Sequence, residues 1–282
     1  MKKIIAAILA AASILTFTGC RQTVEEPPNG MTEYDFKAMS LDYIQLKPPT
    51  AGDKIAIIDT DRGEIRVVLY EQYAPNTVRN FIEKAEAGAY DNMLIKAVEK
   101  DAYFLTGGWE DAKGNYIGRN SDDELVDNEY SVDLWPFSGA LMSFSENKGV
   151  NSDARWFMIN NDAESLTKDA INEMKAGAKN REDETERNNM LSMFDTFYEV
   201  GGVFGLAGYY TVFGQTYLGM DVVKELTQIS ADENFQVTEL VKIKSVTISE
   251  FKDGDATDKY PREKLHSAAE LDEPDESEAT SD

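Results

Sequence analysis

Few side chains in this 282-residue chain are of kinds that do chemistry unaided, and their placement removes most reaction classes. The only histidine, His266, lies in an acidic stretch near the C-terminus, and the only cysteine, Cys20, directly follows an apolar leader. That leaves no partner set for Ser-His-Asp or Cys-His catalysis, for an HExxH metal site, for structural zinc or for an intrachain disulfide. No GxGxxG or Walker loop is present, and Gly107-Gly108 alone is a weak phosphate signal. Asp122, Asp123, Glu124, Asp127 and Glu129 form an acidic run without the glycine and closing glutamate of an EF-hand, so it reads as a solvated loop. No metal and no cofactor are expected. The most informative stretch is instead Tyr210–Glu225, where the β-branched or aromatic Thr211, Val212 and Phe213 precede Gly214 and then Met220, Val223 and Leu226 recur at helical spacing. That pattern is a strand, a glycine break and a short amphipathic helix.

The elements that must position such a unit are mostly strands. Ile55–Ile58 and Glu64–Tyr70 are apolar runs separated by Asp59–Gly63, which predicts a hairpin. Pro75 opens a helix whose buried face is Val78, Phe81, Ile82 and Ala85, with Gly88 beyond its end. Met93–Val98, Ala102–Thr106, Ala140–Ser145, Trp156–Asn160 and Leu240–Phe251 read as further strands, with an irregular loop over 109–138. Within 161–201, Ile171 and Met174, then Met190, Met193, Phe194 and Phe197, have helical spacing in a charged background. The expected fold is mainly β: a closed antiparallel barrel flanked by two helices, with a helical insertion at 161–201.

The ends have their own character. Lys2-Lys3, an apolar run from Ile4 to Phe17 and Thr18-Gly19-Cys20 describe a signal over 1–19 that is too short for a confident membrane span. The FTGC ending resembles a bacterial lipobox, which implies acylation of Cys20 and a lipid-anchored chain on the outer face of the cell membrane. Residues 20–50 lack sustained periodicity and contain two Pro pairs, so they are expected to be a spacer before a domain over 51–251. Residues 252–282 are rich in Asp, Glu and Ser and are expected to be a disordered tail. The formal net charge of −24 argues against nucleic acid as a partner and against electrostatic attachment to anionic lipid.

The order of motifs resembles one family. GEIRVVLYEQYAPNTVRNFIEKAEAGAYDN is similar to the opening of a cyclophilin-type peptidyl-prolyl isomerase domain, and YTVFGQTYLGMDVVKEL to its end. The resemblance runs from about Lys54 to Phe251 and implies a barrel that seats proline of exported proteins in a surface cleft. It also implies catalysis without nucleophile, metal or cofactor. An arginine of the family donates a hydrogen bond toward the prolyl nitrogen and so weakens an amide barrier of about 18–20 kcal/mol.

The cleft positions depart from the family pattern. Aligned from Tyr90-Asp91, Ala97 stands where the arginine belongs and Lys96 precedes it; aligned back from Gly107-Gly108, Val98 stands there instead, because the segment carries one extra residue, and neither alignment yields an arginine. Lys96 or Arg155 are the candidate replacement cations, although lysine is a poorer match for a forked donor. The substrate-binding positions become Tyr103, Phe104, Thr106, Trp156, Met158, Leu206 and Tyr210, with Gly205 at the usual tryptophan. Alternation along the strand predicts Trp156 and Met158 on one face, with Phe157 and Ile159 on the other, core-facing one. The expectation is a prolyl isomerase of weak activity; the alternative is a cyclophilin-like chaperone or peptide-binding module without turnover.

Overall fold

The computed structural model describes residues 34–107, 126–144, 150–151, 155–159, 167–233, 235–259 and 263–272. The expected signal, Cys20, Asp122, Asp123 and Glu124, the side chains of Arg155, Trp156 and Met158, and the last ten residues lie outside the described residues.

The hairpin of β1 (Lys54–Thr60) and β2 (Gly63–Leu69) pairs in register from Ile55 opposite Val68 to Thr60 opposite Gly63. Its turn is closed by Thr60, whose hydroxyl donates to the Gly63 carbonyl at 2.7 Å and accepts from the Arg62 and Gly63 N–H groups. The expected strand Met93–Val98 is split into β3 (Met93–Leu94) and β4 (Ala97–Glu99), followed by β5 (Tyr103–Gly107). A short pair, β6 (Val126–Asp127) with β8 (Val150–Asn151), stands apart. β7 (Ala140–Ser143), β9 (Arg155–Ile159), β10 (Thr211–Leu218) and β11 (Lys242–Glu250) complete a nine-stranded antiparallel sheet in the order β3-β11-β1-β2-β10-β7-β9-β5-β4.

The sheet is a strongly curled half-barrel and not the closed barrel expected. Its end strands, β3 and β4, follow one another in the chain and form no ladder with each other. The change of partner falls at Ile95-Lys96: Ile95 N–H donates to the Val241 carbonyl, whereas Lys96 N–H donates to Leu105. Residues 235–241 lace this seam, since Phe235 O accepts from Val98 N–H and Val237 N–H donates to Lys96 O.

Helix α1 (Pro75–Glu86) starts on proline as expected, but its N-cap Ala74 offers no side-chain acceptor. Glu129 does that work from the far loop, accepting from both the main chain and the side chains of Asn76 and Thr77. Glu129 is thus a structural carboxylate. Val78, Phe81 and Ala85 bury into the main core together with Val223 and Leu226 of α4 (Met220–Leu226). That core covers one face of the sheet through Ile58, Ile65, Val67, Phe104, Leu141 and Phe213. Gly214 is needed there because a Cβ would meet Val67 at 2.8 Å and the Val68 carbonyl at 2.9 Å.

The insertion forms α2 (Lys168–Lys179) and α3 (Glu184–Val200), N-capped by Thr167 and Asp183. Ile171, Met174, Met190, Met193, Phe194 and Phe197 bury as their spacing predicts, in a second core with Trp135 and Phe137. Two expectations fail here. The stretch taken as a spacer is packed from Tyr34 onward: Phe36, Met39 and Tyr43 enter this second core. Gln45, fully buried, donates to Trp135 O at 2.9 Å and Gln215 Oε1 at 2.8 Å and accepts from Trp135 N–H at 2.7 Å. The tail taken as disordered also packs where it is described. Asp258 accepts from the Gly219 and Met220 N–H groups, His266 stacks on Tyr198 at 4.3 Å, and Leu271 is buried in the second core. Both segments look unstructured locally because their few apolar residues are buried against partners distant in the chain.

Candidate functional site

A third apolar cluster covers the sheet face opposite α1. Buried Met142 and Val212 form its floor, and half-buried Tyr103, Leu105, Phe144, Leu206 and Tyr210 form its surface. The ladders arrange this patch as a row. Ala97 stands opposite Leu105, Leu105 opposite Phe157, Phe157 opposite Met142, and Met142 opposite Val212. Directly opposed residues of antiparallel strands share a face, with neighbouring strands about 4.8 Å apart. The row therefore crosses five strands with Ala97 at one end and ends two residues from Tyr210.

The sequence-derived site residues divide between the two faces. Tyr103, Leu206 and Tyr210 are brought together in the patch. Phe104 is not among them: it is fully buried on the α1 side, and Thr106 is fully buried with its hydroxyl donating to Leu94 O at 3.1 Å. The register also reverses the expectation for β9. Met158 pairs with Phe104 and Leu141, both of the main core, whereas Phe157 pairs with Leu105 and Met142 of the patch. Trp156 stands opposite Thr106 and Ser143. Arg155 stands opposite Gly107, on the ladder face of Phe157. Phe104 and Leu105 are both apolar, as are Phe157 and Met158, so either alternate suits the core and the pairing of the strands sets which one faces it. Sequence reasoning missed Leu105 and Phe144; their alternation with Tyr103 and with Met142 was the available signal.

The chemistry of the patch is aromatic and phenolic. Phe144 stacks on Tyr210 with ring centroids 6.0 Å apart at 17°. Burial pushes the Tyr103 phenol up to about 12, with the carboxylate of Glu99 and the phenol of Tyr210 adding to it. The Tyr210 phenol is likewise raised, first by burial and then by Tyr209. Both remain neutral O–H donors at physiological pH. Every arginine whose side chain is described is engaged elsewhere: Arg62 with Glu225 and Glu239, Arg66 with Glu64, Arg79 with Asn76, Arg181 with Glu186, and Arg187 with the Arg181 carbonyl.

The patch is buttressed from below. Phe204 begins the short turn Phe204–Leu206 and contacts Phe194 at 5.2 Å, Phe197 at 5.6 Å and Trp135 at 6.1 Å. The helical insertion thus supports the turn that carries Leu206. On the other side, Asn128 donates to the Tyr130 hydroxyl at 2.7 Å and to Tyr209 O at 3.0 Å, holding Tyr130 beside Tyr210.

Comparison with known proteins agrees with this frame. Residues 55–248 match the family model for cyclophilin type peptidyl-prolyl cis-trans isomerase/CLD. A Staphylococcus aureus (strain COL) protein provisionally named a peptidyl-prolyl cis-trans isomerase is 26% identical over 210 residues, covering 74% of this chain and 98% of that one. Peptidyl-prolyl cis-trans isomerase 9 of Schizosaccharomyces pombe is 28% identical over 201 residues, 69% of this chain and 25% of its own. A Cryptosporidium parvum cyclophilin type peptidyl-prolyl cis-trans isomerase, crystallised in the presence of the dipeptide Ala-Pro, superposes with a TM-score of 0.50 at 17% identity. That superposition covers 69% of this chain and 98% of the other, and it shows the shared fold. With the family match spanning most of the chain and the curled sheet bearing its patch on the face away from α1, the chain belongs to the cyclophilin-type peptidyl-prolyl cis-trans isomerases.

Proposed function

We propose that this chain is a peptidyl-prolyl isomerase of weak activity that acts on proline-containing segments of exported proteins, held at the outer membrane face by an acylated Cys20. The observation that carries the weak-activity reading is Ala97 at the head of the patch row, opposite Leu105. This is the position that the resemblance assigns to the arginine. Tyr103, Leu105, Leu206 and Tyr210 are suited to seat a prolyl ring in a partly dry environment, and the relative crystallised with Ala-Pro supports a ligand of that kind. Seating alone orders the substrate. Lowering the barrier needs a donor that binds the pyramidal nitrogen more strongly than the planar one, and loss of one such donor costs about 10²–10³ in rate.

The test is a protease-free exchange measurement on a blocked Ala-Pro peptide, made with the full chain in detergent. Catalysed exchange well below that of a member with the arginine is expected, and Ala97→Arg should raise kcat/KM by about tenfold or more. Parent turnover equal to that of an intact member refutes the weak-activity reading. No gain from Ala97→Arg, in a variant that melts like the parent, refutes the placement of the site at 97. Arg155→Ala distinguishes a replacement cation from none: loss of the residual rate assigns that role to Arg155. A second reading, a peptide-binding module without turnover, is favoured by the same alanine and is established if the peptide binds while exchange stays at the uncatalysed rate.

A further inference from the structure

The row of facing residues that crosses the patch continues past Ala97. An antiparallel bridge pairs Ala97 with Gln236, on the segment that laces the seam. Bonds on either side define the pair: Val98 N–H donates to the Phe235 carbonyl at 2.9 Å, and Val237 N–H to the Lys96 carbonyl at 3.3 Å. Ala97 and Gln236 therefore exchange no bonds of their own. Pairs of that kind bring side chains closest, with Cα atoms about 4.5 Å apart, and facing residues share one side of the sheet. The neighbours of Ala97 show which side. Val98 is buried in the main core, whereas Glu99 faces Tyr103 and its carboxylate adds to the rise of that phenol. Ala97 thus lies on the patch face, and Gln236 lies there with it.

Gln236 differs from the phenols of the patch in being exposed, so a ligand on this face can meet it. Its main chain, by contrast, is fixed: its N–H donates to Asp232 Oδ1 at 3.0 Å and its carbonyl accepts from Asp232 N–H at 2.9 Å. Phe235, just before it, has φ +65°. A residue with a Cβ takes that left-handed conformation only where its surroundings impose it, and such residues gather at functional sites. Here Phe235 N–H is tied to the Asp232 carbonyl and Phe235 O to Val98. Between Gln236 and Leu105 in the row stands only the methyl of Ala97, where the resemblance expects a long side chain. A glutamine is long enough to lie over a methyl. Its carboxamide carries two N–H donors, and side-chain amides are among the groups that stabilise charge developing in a transition state. Being neutral, it is the weaker donor, since hydrogen bonds from ionised groups are roughly twice as strong.

We propose that Gln236 is a catalytic residue of this chain, its carboxamide N–H donating to the prolyl nitrogen of a peptide on the patch as the Xaa-Pro bond twists. Twisting breaks the amide resonance and returns the lone pair to nitrogen. A donor placed there binds the twisted form more strongly than the planar one, which is what lowers the barrier. No bond is made or broken. The inference rests on the patch being the peptide site, and a donor that is present but neutral gives a low rate rather than none.

The experiment measures protease-free exchange of a blocked Ala-Pro peptide by the full chain in detergent, with binding of the same peptide followed by titration. Gln236→Ala is expected to lower kcat about tenfold and leave KM nearly unchanged. That is less than the about 10²–10³ lost with a donor to an oxyanion, because the prolyl nitrogen bears no full charge. Gln236→Glu keeps the length of the side chain but removes both N–H donors, so it should lose as much. Both variants should melt like the parent, the side chain being exposed. Parent kcat in Gln236→Glu overturns the proposal even if Gln236→Ala is slow, since bulk and not donation would then carry the effect. A rise in KM with kcat unchanged overturns it too. So does a parent that binds the peptide but exchanges it only at the uncatalysed rate, an outcome that leaves the patch as the peptide site. Failure of the peptide to bind the parent refutes the reading of the patch itself, and Gln236 with it.

Discussion

Glu129 offers the sharpest test of how the site is held. Its carboxylate accepts from Asn76 N–H at 3.1 Å, Asn76 Nδ2 at 2.9 Å, Thr77 N–H at 2.8 Å and Thr77 Oγ1 at 2.8 Å. Two of these donors are first-turn N–H groups of α1 that have no partner within the helix, and Ala74 supplies none. Replacing a single capping side chain by alanine costs about 0.5–2 kcal/mol. The negative charge at a helix N-terminus adds about 0.3–1 kcal/mol. Thr77 is 4% exposed, so its stranded donors recover little from water. Glu129→Ala is therefore expected to cost about 3 kcal/mol, the cap and charge contributions plus the unmet Thr77 donors. For a chain of this size that lowers the melting temperature by roughly 6–12 °C. Glu129→Gln, which keeps the shape but has one acceptor oxygen and no charge, should cost about half as much. Because Glu129 lies between Asn128 and Tyr130, isomerase KM or peptide affinity should worsen alongside stability. A Glu129→Ala protein that melts within about 1 °C of the parent refutes the capping argument.

The remaining predictions concern the added segments and the phenols. Gln45→Leu strands the Trp135 N–H and carbonyl and the Gln215 side-chain Oε1 in a fully buried site, at about 1–3 kcal/mol for each unmet group. Its urea midpoint should fall sharply and residues 34–50 should become protease-sensitive; an unchanged midpoint would show that the segment is dispensable. Alkaline stability follows from Tyr43 and Tyr103, both pushed up to about 12 chiefly by burial, against about 10 in an unfolded chain. The folded state keeps these protons after the unfolded state has lost them, so stability is whole below pH ~10 and falls as pH rises from ~10 to ~12. Melting temperatures across that window should decline, less steeply in Tyr103→Phe; a flat profile would contradict the burial of these phenols.

Much of the fold was legible because it is written in local periodicity. The hairpin, the proline-led helix, the final strand and the Thr211–Leu226 unit need only alternation, helical spacing and a few turn residues. Leu206, Tyr103 and Tyr210 could be placed as cleft candidates because the collinear motifs on either side carried the resemblance up to them. The faces of β5 and β9 were not legible in the same way. Phe104 and Leu105 are both apolar, as are Phe157 and Met158, so composition permits either alternate to face the core. Only the pairing with β7, whose Leu141 and Met142 belong to different clusters, decides which.

By itself, then, the sequence determined the order of strands and helices, the absence of metal-ligand and triad patterns, and the alanine at position 97. Tertiary structure alone decided that the sheet is a curled half-barrel, since β3 pairs with β11 and β4 with β5 and not with each other. It alone decided that residues 34–50 and the described residues beyond 251 belong to the packed body. Phe36, Tyr43, Gln45 and Leu271 find their partners in α2, α3, Trp135 and Gln215, far along the chain. A long-range contact leaves no periodic trace in the short segment that makes it.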